Sequence, residues 1–111
     1  MELALHEDGS VTIVTLSGDL VIGDAEALFK KTVSRLLEEG KVHLVVDCSG
    51  LRYVDSSGLG SLVRALTTSQ HEGGGTRLLG VPPSLRKLLE LTKLDSVFEM
   101  FEQRDEAISS F

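Results

Sequence analysis

Val42, Leu44, Val45 and Val46 make a nearly continuous apolar run that ends at Asp47. Soon after it, Leu59, Leu62, Val63 and Leu66 recur at i, i+3, i+4 and i+7. A short continuous run fits a strand buried on both faces, and the second spacing is one face of a helix. A strand feeding a helix is half of a parallel crossover, and the chain repeats the pattern on either side. Downstream, Thr76 to Val81 reads as another strand after the break at Gly73-Gly74-Gly75. Pro82-Pro83-Ser84 then opens a third helix, because proline fits the first turn of a helix, with Leu85, Leu88, Leu89 and Thr92 facing inward. Upstream, Ala25, Leu28, Phe29, Val33, Leu36 and Leu37 form a helical stripe, with Asp24 as N-cap and Gly40 as the stop. Before that stripe, Leu3 to His6 and the run Val11, Ile13, Val14 and Leu16, ending at Gly18, read as strands paired antiparallel through the Asp8-Gly9 turn. Val97 to Phe101 reads as a last strand and residues 103–110 as a terminal helix, with Ala107 and Ile108 inward.

This order predicts the α/β class: one domain over residues 1–111, with a mixed sheet of four to five strands and about four helices. A chain of 111 residues that is 41% hydrophobic can bury roughly two-thirds of its surface, enough for one core. With 11 Lys and Arg against 17 Asp and Glu, the net charge is −6. That balance argues against nucleic acid as a partner and against a polybasic membrane contact. The start, Met1 to Ser10, has neither the basic residues nor the apolar stretch of a secretory signal. The single cysteine, Cys48, forms no internal disulfide and is expected in the core, and no Cys/His cluster has metal-ligand spacing. The expectation is a soluble cytoplasmic domain with no metal and no cofactor.

The stretch with chemical content is Asp55-Ser56-Ser57-Gly58-Leu59-Gly60, reached through an expected loop from Cys48 to Asp55. It places Ser56 at or beside the N-cap of the second helix, where a serine oxygen can accept a helical N–H. Gly58 and Gly60 in the first turns cost about 1 kcal/mol each relative to alanine, and a cap needs neither. They are expected to clear side chains from around Ser56 and to let another molecule's backbone approach. A serine nucleophile needs a base within reach. His6, His43 and His71 are not placed there, and no Gly-x-Ser-x-Gly elbow occurs. Ser61 and Val63 stand where a phosphate-binding loop or dinucleotide motif needs other residues. No catalytic residue is assigned. The remaining use of the hydroxyl is as a kinase substrate.

These residues, entered from Leu44-Val45-Val46-Asp47, resemble the signature of the STAS domain, above all the bacterial anti-sigma factor antagonists. The resemblance extends through Leu16-Ser17-Gly18-Asp19-Leu20, through Gly73-Gly74, and through Val81-Pro82-Pro83-Ser84-Leu85 to Leu88-Leu89. It implies that Ser56 is a phosphoacceptor. It implies a partner surface made by Asp19, Asp24, Asp55, Ser57, Gly58, Leu59 and Gly60. The partner implied is an anti-sigma factor that is also a serine protein kinase. The unphosphorylated domain binds it and frees a sigma factor, phosphorylation ends the binding, and a serine phosphatase restores it. The alternative within the family is a non-switching subunit of a signalling scaffold or lipid-transport complex, which a missing acceptor serine would have favoured. Many members carry a second acid where this chain has Val21, so Asp19 and Asp24 are expected to supply the charge. His43 is expected at a strand-end surface. Phe98, Phe101 and Phe111 are expected to close the core, and the acidic C-terminal stretch to be a solvated face.

Overall fold

Nine elements follow one another in the computed structural model, which describes residues 1–111: β1 (Glu2–Asp8), β2 (Val11–Leu20), α1 (Asp24–Glu38), β3 (His43–Val54), α2 (Ser56–His71), β4 (Gly75–Leu79), α3 (Pro83–Leu91), β5 (Met100–Phe101) and α4 (Arg104–Ser109). One sheet holds the strands in the order β1-β2-β3-β4-β5. β1 runs antiparallel to β2, and every other pair is parallel. The strand order advances in one direction, so right-handed crossovers bring α1, α2 and α3 to the same face. The mixed α/β sheet and its helices are those the sequence predicts.

Alternation along each strand explains the apolar runs. Val14, Leu16, Leu44, Val46 and Leu78 face the helices and share a core with Phe29, Val33, Leu62, Ala65, Leu85 and Leu89. Val11, Ile13, Val45 and Leu79 face the other way and pack with Ala107, with Phe101 and Ile108 against them. Val45 and its neighbours are thus covered on both sides, and the run at Leu44 to Val46 has no polar interruption.

Several boundaries differ from the sequence reading. β3 does not end at Asp47. It continues through the expected loop to Val54, and β2 continues past Gly18 to Leu20, with Asp19 opposite Tyr53 and Leu20 opposite Val54. Register shifts between Thr15 and Ser17 and between Gly18 and Asp19 break the two-residue alternation, so the strand loses its sequence signature there. Asp24 is not the N-cap of α1. Gly23 occupies that position at φ 110°, and Asp24 is the first helical residue with no side-chain cap bond. Leu28 is exposed, and the buried row of α1 is Phe29, Thr32, Val33 and Leu36. β5 is only Met100–Phe101, because Phe98 turns into the main core while Val97 stays in solvent. Thr92 lies outside α3 and is exposed. Phe98 closes the main core, whereas the Phe111 ring lies under the Arg77 guanidinium, whose carbon is 4.1 Å from the ring centroid, and against the half-buried His43 ring. The acids Asp95, Glu99, Glu102, Asp105 and Glu106 are exposed, as expected of a solvated face. No helix is long and apolar enough to cross a membrane.

Candidate partner-docking site

The carboxyl ends of β2 and β3 and the segments that leave them form one rim, the usual place for a site in an open α/β sheet. The Asp55 N–H donates to the Leu20 carbonyl at 3.3 Å, which continues the β2–β3 pairing one step further. The chain then turns into α2 with Asp55 as N-cap in an extended conformation. One carboxylate oxygen, Oδ1, accepts the Gly58 N–H at 2.7 Å. The other, Oδ2, accepts the Ile22 N–H at 2.9 Å. The N–H groups of Ile22 and then Gly58 hold the Asp55 carboxyl below the usual carboxylate range by bonding to its charged form. Asp55 therefore fastens the entry of α1 to the entry of α2. Each of its oxygens accepts one bond from within the chain, and the side chain is half-buried.

Asp55 supplies the cap, so Ser56 lies beside the cap, as the first helical residue, and is exposed. Its hydroxyl is not needed to complete the helix. Ser57 is half-buried. Gly58 is buried, and a Cβ there would overlap the Leu20 carbonyl oxygen. Its missing side chain lets α2 lie directly on the end of β2 and clears nothing for another molecule. Leu59 is only 6% exposed and belongs to the main core. Gly58 and Leu59 are thus removed from the expected partner surface. Gly60 is exposed with nothing within 4 Å of a Cβ. Helical spacing explains the division, because i and i+4 share a face while i+2 points away. Gly60 lies one turn beyond Ser56 on its face. Gly58 instead continues the buried row Ser61, Leu62, Ala65 and Ser69.

The acids of the rim differ in what they already bind. Asp19 is paired to Arg52 at 3.3 Å, between partly exposed side chains. Asp24 is exposed in the first turn of α1 without a cap bond. Two large apolar side chains that the sequence reading did not select also stand here: Ile22, 70% exposed, and Tyr53, 60% exposed. The available signal was that neither fits an apolar stripe of its neighbouring helix or strand. Val21 is half-buried, and its carbonyl accepts the Glu26 N–H at 3.2 Å.

The histidines lie elsewhere: His6 pairs with Ile13, His43 begins β3, and His71 ends α2. Burial pushes the Cys48 thiol up to about 12, so it stays protonated and unreactive at neutral pH. A groove of about 560 Å³ runs between α1 and α2 past Phe29, Val33 and Ala65 and does not reach Ser56.

The family model described as STAS domain matches residues 2–107. An anti-sigma F factor antagonist from Paenibacillus polymyxa is 22% identical over 109 residues, covering 98% of this chain and 93% of that protein. A Thermotoga maritima protein, provisionally described as an anti-sigma factor antagonist, superposes with a TM-score of 0.90 at 26% identity, over 97% of this chain and 92% of that one. The phosphorylated form of the Bacillus cell fate determinant SpoIIAA has the same fold, with a TM-score of 0.79 at 22% identity over 98% of each chain.

Proposed function

The chain belongs to the STAS domain family, and from that premise we propose that it is an anti-sigma factor antagonist switched by phosphorylation of Ser56. The observation that supports this reading most is the free, exposed Ser56 hydroxyl at the start of α2, beside an aspartate that already does the capping. In this reading the chain works in the cytoplasm by binding and not by catalysis. Its partner is an anti-sigma factor that is also a serine kinase, and a serine phosphatase resets it. Neither nucleic acid nor membrane takes part, in keeping with the net charge of −6.

The size of the switch follows from elementary electrostatics. A phosphate adds about −1.5 to −2 charges. Two charges at about 6 Å from one carboxylate cost about 1.4 kcal/mol at the dielectric of water and roughly 5 at an effective value of 20. The positive end of α2 offsets about 0.3–1 kcal/mol. The domain tolerates such a perturbation, and the likeness to a phosphorylated STAS protein is compatible with an unaltered fold. At an interface, a loss of about 2.7 kcal/mol already weakens binding about 100-fold. No long-range rearrangement is required.

The test is labelling by a purified anti-sigma factor kinase with radioactive ATP. Ser56→Ala is expected to abolish labelling and Ser57→Ala to leave it largely intact. Undiminished labelling of Ser56→Ala would refute the assignment.

A further inference from the structure

We propose that the grooved α1–α2 face is where two copies of this chain associate, as an antiparallel two-fold pair. The inference goes beyond the Ser56 reading and does not depend on it. α1 follows β2, α2 follows β3, and these strands are parallel, so the two helices run in the same direction. The groove between them has an apolar floor that includes Phe29, Val33 and Ala65, and charged residues line it on both helices. Those on α1 include Lys30 and Glu38, and those on α2 Arg64 and the Glu72 that caps it. Each helix thus shows a base and, eight residues later, an acid, about 12 Å further along its axis. Halfway between them stand Ser34 and Thr68, two short side chains that also line the groove. Such a pattern is its own complement, which is what a two-fold contact between identical surfaces requires. A half-turn about an axis across the groove, at Ser34 and Thr68, lays a second copy face to face with its helices reversed. Lys30 then faces Glu38 of the second copy, Arg64 faces Glu72 of the second copy, and each contact occurs twice.

These charges are uncommitted within the chain. Arg64, Glu38 and Glu72 are exposed and enter none of its ion pairs. Lys30 reaches Glu26 at 3.2 Å, but an exposed pair of this kind contributes little. Glu38 is the last residue of α1 and Glu72 is the C-cap of α2, where the negative end of a helix disfavours an acid. Arg35 and His71, the basic residues of those last turns, form no ion pair with either. Two acids therefore stand where their own helices repel them, and a cation from outside would relieve both. The reversed copy brings Lys30 and Arg64 to the matching height, so the chain carries its own complement. Two helices on two reversed helices is the arrangement of a four-helix bundle. Phe29, Val33 and Ala65 are buried already, so the association draws on charge more than on apolar area, and salt weakens it. The groove does not reach Ser56, and the reversal puts the two hydroxyls at opposite ends of the pair.

The experiment uses the whole chain alone. Sedimentation equilibrium at low ionic strength is expected to show monomer and dimer in equilibrium, with the balance moving to monomer as salt is added. Arg64→Glu and Glu72→Arg are each expected to raise the dimer dissociation constant about ten-fold or more, while circular dichroism shows both variants folded. An equimolar mixture of the two is expected to restore association, because each variant carries the charge that the other's altered surface requires. Should either α2 variant fail to fold, Lys30→Glu mixed with Glu38→Lys repeats the exchange on α1. A parent that stays monomeric at low salt and millimolar concentration overturns the proposal. Single variants that associate as the parent does, or a mixture that stays monomeric, place any association on another face and overturn it as well. The kinase takes no part in these measurements, so the proposal and the Ser56 reading fail separately.

Discussion

The rim around Ser56 has an inward half and an outward half, drawn from the same few residues. Asp55, Gly58 and Leu59 face the protein: a carboxylate bonded to the backbone of two segments, a glycine against a carbonyl oxygen, and a leucine in the core. Ser56, Gly60, Ile22 and Asp24 face solvent. The inward half holds the two helix entries and the end of β2 together, and the outward half is what a partner could touch. A contiguous motif of six residues therefore does two jobs, and conserving its spelling says nothing about which residue does which. The division makes a distinction that variants can break: inward changes should cost stability, and outward changes should cost binding.

Gly58→Ala is expected to have the largest effect. The added methyl would overlap the Leu20 carbonyl oxygen and approach its side chain, and backbone cannot yield as a flexible side chain does. We expect a loss of about 3 kcal/mol or more, at the upper end for overpacking, read as a fall in midpoint on urea denaturation. A Gly58→Ala protein as stable as the parent would move this glycine to the outward half.

Ser56→Glu is next in size and falls on the other side of the division. Its expected effect is a loss of kinase affinity of about 100-fold, or about 2.7 kcal/mol, with the melting temperature nearly unchanged because Asp55 retains the cap. Calorimetric titration beside a thermal melt separates the two quantities. A variant that unfolds instead would show Ser56 to be structural.

Asp55 gives the inward half a pH dependence whose direction can be derived. Its folded carboxyl titrates below the ordinary range because Ile22 and Gly58 donate to its charged form. The unfolded chain titrates at about 3.9. The contribution is therefore complete above the unfolded value and is lost as pH falls through the folded one. Melting temperatures of the parent and Asp55→Asn should differ at neutral pH and converge in strong acid. A constant gap between them down to pH 2 would mean that the clamp does not depend on the charge.

Much of the fold was legible in sequence because burial on both faces leaves a readable trace. The run Leu44 to Val46 and the stripe Leu59, Leu62, Val63 and Leu66 each stand where their periods put them. The second half of β3 was not legible. Cys48, Leu51 and Val54 are its buried residues, and a spacing of three is not the period of a regular strand. The inward role of Gly58 could have been read, since it falls on the helical row of Ser61, Leu62 and Ala65. The clamp could not, because Ile22 and Asp55 are 33 residues apart and the bond uses a backbone N–H, which no side-chain pattern reports.

Gly60→Ala has the smallest expected effect and tests the division most finely. Gly60 is inside α2, is exposed, and has open space where a Cβ would stand. Alanine there limits the unfolded chain and favours the helix, so we expect a gain of about 0.4–1 kcal/mol, visible as a melting temperature a few degrees higher. Were stability the only demand on this position, glycine would be the inferior residue. Gly60 lies one turn from Ser56 on the same face, so a methyl group there stands where a partner bound to Ser56 must pack. The expected combination is a more stable domain that binds the kinase several-fold more weakly. Stabilisation with undiminished affinity would confine the outward half to Ser56, Ile22 and Asp24. A loss of stability would mean that the helix start is strained at Gly60 as well, and the boundary between the two halves would then fall elsewhere along α2.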